Sequence, residues 1–328
     1  MIKKIIGEKQ NRLNASPVGI WRTILSTILL IAVIILAFFY FRGHGKEFVS
    51  KVELSYSFVI LMSALIILFQ LIAGFKIKIL TDIFGLNLKI KEWFGLAQMN
   101  SFLNYLPIKG GAAAKAFYLK GFFNFPYSKY LAVLGASFII TIASFSAVGV
   151  AGMFLVYMKT GIFSSNILII YIFLVISPLI PFLFLDRIIG RIKNPHLTRF
   201  FDGWRMIRRG GKKLILLVIS DVMMVLVDAM RIKLSYGAQG VDLDYYMGLV
   251  ISPLSNLAAI ASQVPAGLGI RETVVGLISG GMGLGFEMGV DASTIDRMIL
   301  LFWIVILGSL SIVNLIFYRG YGNRIKKT

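Results

Sequence analysis

The stretch NYLPIKGGAAAKAFYLKGFF, residues 104–123, interrupts a chain that is otherwise strongly apolar. It brings together a proline, two adjacent glycines, a run of alanines and three lysines. Proline removes a backbone hydrogen-bond donor and glycine permits turns that other residues resist, so a helix is expected to end here and another to begin. The apolar runs on either side of this break indicate what kind of protein contains it.

The composition indicates an integral membrane protein. Hydrophobic residues make up 58% of the 328 residues and charged residues only 15%, which is more apolar surface than a soluble core can bury. A membrane-spanning helix needs about 20 apolar residues. Uncharged runs of that length occupy residues 23–41, 54–75, 130–158, 160–185 and 298–318. Two weaker runs, residues 93–108 and 245–270, contain prolines and polar residues.

The distribution of Lys and Arg predicts the orientation of the chain. These residues are concentrated at both termini, in residues 76–91 and above all in residues 187–213. By the positive-inside rule these segments are expected in the cytoplasm. The sequence therefore predicts a multi-pass protein of the plasma or inner membrane. It has a cytoplasmic arm (1–22), a single transmembrane domain (23–318), a basic cytoplasmic loop (187–213) and a cytoplasmic tail (319–328).

The formal net charge of +19 raises nucleic acid as a partner, but the pattern favours lipid. Nucleic acid would require a folded basic domain, and the longest polar segment, residues 187–213, is short and has aromatic residues between its cations. Such a segment is typical of an interfacial amphipathic helix, and anionic lipid headgroups account for its charge. The chain has no cysteine, and its two histidines, His44 and His196, are far apart, so no metal or cofactor is predicted.

A second interrupted segment, SQVPAGLGIRETVVGLISGG, occupies residues 262–281. In both segments a proline (Pro107, Pro265) is followed by two close glycines and then by a cation (Lys115, Arg271). On the orientation derived from charge, the two breaks face opposite sides of the membrane. The sequence predicts an all-α polytopic fold of about six to eight transmembrane helices with two re-entrant hairpins. The halves, residues 23–158 and 160–318, form an inverted repeat.

The chemistry of the breaks points to a polar ligand. Backbone groups freed by a break cannot face hydrocarbon, so they are buried in protein or line a wet cavity. A helix that restarts there directs its partially positive N-terminus into that cavity, beside Lys109 and Lys115 in one half and Arg271 in the other. Such sites suit an anionic headgroup. The alternative is that small residues at the breaks serve only close helix packing.

At these residues the chain resembles the lysylphosphatidylglycerol synthase/flippase transmembrane family. NYLPIKGGAAAKAFYL is similar to its N-x-x-P-x-R-x-G-E-x-x-R element, and VPAGLGIRE with the later Asp296 and Arg297 is similar to its P-G-G-L-G-x-x-E and arginine element. The resemblance extends over residues 20–318. It implies substrate-binding roles for these matched positions: Asn104, Pro107, Lys109, Gly111 and Lys115, then Pro265, Gly267, Gly269, Glu272 and Arg297.

Two departures from the family pattern bear on the substrate. Ala112 stands where the family usually has Glu, and Ala266 replaces the first glycine of the Gly-Gly pair. Without the carboxylate the first break is more positive, so its headgroup preference is expected to differ from that of the better known members.

Further charged residues lie within the apolar segments. Asp228 and Arg231 have ion-pair spacing on a helix, and we include Arg231 with Arg271 among the substrate-binding candidates. Glu272 and Arg297 predict a buried ion pair, which serves either as a structural latch or as a substrate contact.

The resemblance implies a flippase-like protein that translocates an anionic or polar-headgroup lipid, aminoacylated or glycosylated lipids included, between leaflets. Its alternative is the membrane subunit of a lipid-modifying synthase, similar to lysylphosphatidylglycerol synthase or a lipid glycosyltransferase, with catalysis on another chain. Full-length synthases add a soluble C-terminal domain, for which the residues after 318 leave no room. We therefore predict no catalytic residues and favour a transporter over an enzyme. Membrane lipids are the expected partners; a homo-oligomer or a separate synthase chain stays open.

Overall fold

The computed structural model describes residues 55–106, 110–189 and 195–325, and all secondary structure in these ranges is helical. It consists there of ten α-helices and one short 3₁₀ turn: α1 (Tyr56–Ile83), α2 (Ile90–Asn104), α3 (Gly111–Phe123), α4 (Tyr127–Thr160), α5 (Ser165–Ile189), α6 (Pro195–Arg208), α7 (Lys212–Gly237), α8 (Tyr245–Ala261), the turn Pro265–Gly267, α9 (Ile270–Gly281) and α10 (Phe286–Ile325). The predicted all-α fold is confirmed. The arm 1–22 and the first predicted span, 23–41, lie outside the described residues.

Three of these helices are long and apolar enough to cross a membrane: α1, α4 and the part of α10 from Phe286 to Leu315. They coincide with the predicted runs 54–75 and 130–158 and with most of 298–318. Their surfaces expose large apolar side chains such as Ile60, Phe154 and Phe302. Exposed apolar surface of this extent is unfavourable in water and suits contact with lipid.

Two further helices have the length of a span but a different composition. α5 has 25 residues, of which Ser165–Pro178 form a shorter apolar stretch. α7 has 26 residues and carries charged side chains along its length. The charges of α7 must therefore be neutralised inside the bundle.

Four short helices form two pairs at the predicted breaks. α2 and α3 have 15 and 13 residues, and α8 and α9 have 17 and 12. Each is shorter than the about 20 residues of a full span. The partners in each pair pack against each other. The second helix of each pair begins at the glycines of its break: α3 begins at Gly111, one residue before the predicted start, and α9 begins after Gly269.

The loops of the chain gather at two opposite ends of the bundle. Residues 84–89, 124–126 and α6 lie together at the first end. Two contacts show this: the rings of Phe84 and Phe125 are 5.4 Å apart, and Lys213 Nζ, at the start of α7, donates to the Asp82 carbonyl oxygen at 2.6 Å. The second end contains residues 161–164, 238–244 and 282–285. The α2–α3 pair starts and finishes at the first end, and the α8–α9 pair at the second.

An ion pair marks the second end. Lys159 Nζ lies 2.7 Å from an Asp244 carboxylate oxygen, and this hydrogen bond lowers the pKa of the Asp244 carboxyl. Asp244 also caps α8, since its side chain accepts a hydrogen bond from the Tyr246 N–H. The contact thus joins the end of α4 to the start of α8.

The segment predicted as a basic loop, residues 187–213, contains the one-sided helix α6. Trp204 and Ile207 are buried on its inner face, which packs against α4, whereas Asp202, Met206 and Arg209 are exposed. The predicted amphipathic helix is therefore present. Its cytoplasmic location stays a prediction.

Gly111 allows α3 to begin in close contact with α2. A Cβ atom at this position would lie 2.4 Å from the carbonyl oxygen of Asn100, a distance that no side chain can occupy. The Gly111 N–H donates to Asn104 Oδ1 at 3.3 Å, so the last residue of α2 caps the first turn of α3. A side chain at Gly110 would meet open space. Close packing therefore requires glycine at only one of the two positions.

The second break contains a strained alanine. Ala266 has φ 49° and ψ 15°, in the left-handed region that favours glycine. Its neighbour Gly267 has φ 65°, and a Cβ atom there would lie 2.6 Å from the Cβ of Ala259 in α8. The backbone of the turn therefore favours glycine at positions 266 and 267, and Ala266 is held in a strained conformation.

We predict that Ala266→Gly stabilises the protein by about 0.5–1 kcal/mol, because relief of the left-handed strain, about 1–2 kcal/mol, exceeds the added chain entropy of glycine, about 0.4–1 kcal/mol. Thermal unfolding of the purified protein in detergent measures the effect. Ala258→Gly, inside α8, is the control and is expected to destabilise by about 0.5–1 kcal/mol. A loss of stability in Ala266→Gly would show that the left-handed turn is not strained.

Candidate functional site

Six charged side chains meet inside the bundle where α7, α9 and α10 converge. α7 contributes Asp228 and Arg231, α9 contributes Arg271 and Glu272, and α10 contributes Asp296 and Arg297. We call these six residues the arginine cluster. Arg231 and Asp296 are exposed by only 1% and 0%. Ionised groups so far from water require partners within the protein.

Asp296 lies between two arginines. Its carboxylate accepts from Arg231 Nε at 2.9 Å and from Arg231 Nη2 at 2.8 Å, in a bidentate arrangement. Arg271 Nη1 donates to the same carboxylate at 2.6 Å. Bidentate guanidinium–carboxylate contacts are the strongest ion pairs in proteins, so Asp296 joins α10 to both α7 and α9.

Asp228 completes the network from the other side. It lies 3.1 Å from Arg231 Nη1 and 3.3 Å from Arg271 Nη2. Two neutral donors on α8, Ser252 Oγ and Asn256 Nδ2, each reach its Oδ2 at 2.7 Å. The predicted Asp228–Arg231 pair is therefore present. The network also includes Ser252 and Asn256 of α8, which the sequence analysis did not identify. Two polar residues one turn apart in an otherwise apolar helix could have indicated a buried polar partner.

The predicted ion pair between Glu272 and Arg297 is also present. Arg297 Nε lies 2.5 Å from Glu272 Oε1, and Arg297 Nη1 donates to the Ala266 carbonyl oxygen at 3.4 Å. The pair therefore holds the turn Pro265–Gly267 against α10. The same turn packs against α2, and Tyr105, directly after α2, lies within electrostatic range of the cluster.

The arginine cluster is electrically balanced, since three guanidinium groups face three carboxylates. Arg231 and Arg271, both predicted as substrate contacts, have their charges satisfied by the protein. Removing one partner of a buried ion pair costs about 3–5 kcal/mol. The arrangement supports a structural latch, and a role in substrate binding stays a prediction.

A second polar group lies nearer the first end. Lys76 on α1 donates to Asp221 on α7 and to Thr141 on α4, with Lys76 Nζ 2.5 Å from Asp221 Oδ1. We call these three residues the lysine site. Lys115, on α3, is half-buried.

The burial of Lys76 was not predicted from the sequence. Lys76 begins the basic segment 76–91, whose predicted cytoplasmic side stays a prediction, and its side chain is buried in the bundle. Lys76 can be buried because it pairs with Asp221, which is distant in sequence and lies beside α1 only in the folded protein. No local pattern predicts this contact.

The two polar groups occupy matching places in the two halves. Lys76 lies as many residues before the start of α2 (Ile90) as Arg231 lies before the start of α8 (Tyr245). Each cation bonds to the long helix that follows the short pair of its own half, Lys76 to Thr141 and Arg231 to Asp296. The main chemical difference is that the first half has a neutral threonine where the second has a carboxylate.

The remaining predicted site residues are placed as follows. Asn104 and Gly111 form the contact between α2 and α3, while Pro265 and Gly267 are buried in the 3₁₀ turn. Gly269, with φ 77°, precedes α9. Pro107 and Lys109 lie outside the described residues. Within the part of the chain that the structure describes, no acidic or histidine side chains are grouped to hold a metal ion.

The chain matches a protein-family model over most of its length. The model described as lysylphosphatidylglycerol synthase TM region matches residues 23–308, most of the chain. The chain belongs to this family. The predicted resemblance is thereby confirmed, and family membership with the long apolar helices makes the protein a multi-pass integral membrane protein. Searches of curated proteins and of solved structures each gave no significant match.

We predict that Asp296→Asn destabilises this family member by about 3–5 kcal/mol, because Arg231 and Arg271 lose the carboxylate that balances them. Unfolding in detergent, followed by temperature or denaturant, measures the change. Asp242→Asn is the matched control, since Asp242 pairs with Lys233 at 3.0 Å on the surface. Its loss should have little effect. Equal stability of the two variants would contradict the role of the cluster as a latch.

Proposed function

We propose that the protein moves a lipid with a polar or anionic headgroup between the two leaflets of the membrane. The observation that carries this proposal is the contact between the turn Pro265–Gly267, at the second break, and α2, which ends at the first break. The ion pair of Glu272 with Arg297 lies beside this turn, in a bundle that has three long apolar helices.

Transport of a headgroup requires such a polar interior. Hydrocarbon offers no hydrogen bonds, so a headgroup that crosses it unaided loses its hydration without replacement. Short helices that end within a bundle leave backbone groups free, and these can replace water along a passage. The half-length helices α2, α3, α8 and α9 supply such groups, and the lysine site and the arginine cluster add charge on either side of the breaks.

We further propose that α2–α3 and α8–α9 are re-entrant hairpins of an inverted repeat comprising residues 23–158 and 160–318. Two findings support this: the pairs open to opposite ends of the bundle, and Lys76 and Arg231 occupy matching positions. With α5 and α7 as spans beside α1, α4 and α10, and with the predicted run 23–41 as a sixth, the arrangement suits about six to eight crossings. Inverted repeats allow a site to open alternately to each side.

The orientation is inferred from charge. The first end carries Lys89, Lys120, Lys129 and the cations of α6, whereas at the second end Lys159 and Lys233 are each paired with an aspartate, Asp244 and Asp242. By the positive-inside rule the first end faces the cytoplasm, and the termini with their cations face it too.

Single cysteines test this orientation in a chain that contains none. Asn87→Cys at the first end and Glu287→Cys at the second are both exposed. We expect a membrane-impermeant maleimide to label position 287 in intact cells and position 87 only after the membrane is opened. Labelling of both from the same side would overturn the proposed topology.

Leaflet exchange in proteoliposomes tests transport. We expect the purified protein to accelerate exchange of a fluorescent phosphatidylglycerol by about tenfold or more over protein-free liposomes, a barrier reduction of about 1.4 kcal/mol or more. Heat-inactivated protein in the same vesicles is the control.

Lipid mass spectrometry of the same vesicles separates the alternatives. A new lipid product formed by the protein alone, and lost on Glu272→Gln, would replace transport by catalysis. Exchange at the protein-free rate, restored only by a separate synthase chain, would favour the subunit role.

A further inference from the structure

Gln98 on α2 is a buried polar side chain that lacks a hydrogen-bond partner among the described residues. The residue is 0% exposed, and neither Nε2 nor Oε1 of its amide makes a hydrogen bond there. A side-chain amide can donate two hydrogen bonds and accept two. Because an unpaired buried amide is unfavourable, the site calls for a partner that both donates and accepts.

The packing of α2 against α10 brings a second polar residue, Ser311, to the level of Gln98. Glycines let the two helices approach closely at two places: Gly95 lies beside Leu315, and Gly308 lies beside Phe102. Gln98 is three and four residues from the two contact positions on α2, and Ser311 is three and four residues from those on α10. Residues so spaced share one face of a helix. Since Ser311 is also buried, the amide and the hydroxyl belong to one closed interface.

α1 brings another polar group to the same place. Ser101, three residues after Gln98, donates through Oγ to Gln70 Oε1 on α1 at 3.3 Å, and Gln70 is buried. α1 also contacts α10 directly, where Trp303 Nε1 donates to Ser63 Oγ at 2.9 Å. Gln98 therefore lies where α1, α2 and α10 meet, and each of the three helices contributes polar side chains to this junction.

Polar side chains continue from Gln98 along α2 to the first break. Gln98, Ser101 and Asn104 follow one another at intervals of three residues, which places each beside the next on the helix surface. Asn104 Oδ1 accepts from the Gly111 N–H at the break. Asn104 and Ser101 are half-buried, whereas Gln98 is buried. This line of side chains gives water a polar route from the break to Gln98.

We infer that a water molecule binds at Gln98 and bridges its amide to the Ser311 hydroxyl between α2 and α10. Water suits the site because it donates and accepts, and a buried water typically makes about three hydrogen bonds to such groups. A monovalent cation would satisfy the oxygens alone and leave the amide N–H groups unpaired. The inference goes beyond the proposed function, since it does not depend on which lipid, if any, is transported.

Radiolytic hydroxyl labelling of the full-length protein in detergent tests for this water, because radicals formed from a bound water modify the side chains around it. We expect Leu315, one turn from Ser311, to be labelled in the wild type well above Leu249, a leucine of similar exposure in an apolar cluster. Gln98→Leu should bring the labelling of Leu315 down to that of Leu249. Equal labelling of the two leucines in the wild type, or no loss in Gln98→Leu, would overturn the inference.

A second variant keeps the test decisive if Gln98→Leu folds poorly. Ser311→Ala is a small change that favours the helix, so α10 should form as before while the bridge loses its hydroxyl and the labelling of Leu315 falls. Gln263→Leu, at an exposed glutamine, is the matched control and should leave Leu315 labelled as in the wild type. Unchanged labelling in Ser311→Ala, or an equal loss in Gln263→Leu, would contradict the bridge.

Thermal unfolding separates water from a bound cation. With water at the site, NaCl, KCl and choline chloride at equal concentration should give the same unfolding temperature for the wild type. Stabilisation by Na⁺ or K⁺ that Gln98→Leu lacks would identify a cation at the junction and refute the water site. These results are read on the protein without a lipid-exchange assay, so they stand apart from the test of transport.

Discussion

The carboxylate of Asp296 lies between the guanidinium groups of Arg231 and Arg271, and the packing of the second half depends on this contact. In an apolar bundle an ionised group has no water to stabilise it, so its partners must come from neighbouring helices. Asp296 therefore fixes α10 against α7 and α9 at once. Asp228 extends the same constraint to α8 through Ser252 and Asn256. Loss of one charge leaves the others unbalanced, which makes the helices mutually dependent.

The helix breaks obey the same requirement through the backbone. A helix that ends inside a membrane domain leaves carbonyl and N–H groups without partners, and side chains or close neighbours must satisfy them. Asn104 does this for the start of α3, and Arg297 contacts the carbonyl oxygen of Ala266 in the second break. Gly111 and Gly267 permit the close approach that these contacts need. These contacts support the backbone at both breaks.

The two halves use this plan with different charge. Arginines matched by carboxylates make the cluster of the second half a closed network. In the first half a single buried lysine, Lys76, bonds to one carboxylate, Asp221, and to the neutral Thr141. Three ion-paired helices are therefore joined in the second half, whereas one ion pair joins α1 to α7 in the first.

The sequence by itself determined the membrane class, the helical fold, the long apolar spans among the described residues and the two places at which proline and glycine interrupt the helices. It also predicted the pairs Asp228–Arg231 and Glu272–Arg297. These features depend on local properties: the length of apolar runs, the stops imposed by proline and glycine, and charges close in sequence or matched by family pattern. Only the tertiary structure decided that Asp221 neutralises Lys76, that Asp296 joins two arginines and that Ala266 adopts a left-handed backbone. Those outcomes depend on which helices become neighbours, because in an apolar bundle the neighbouring helices, not the local sequence, decide which charges are paired.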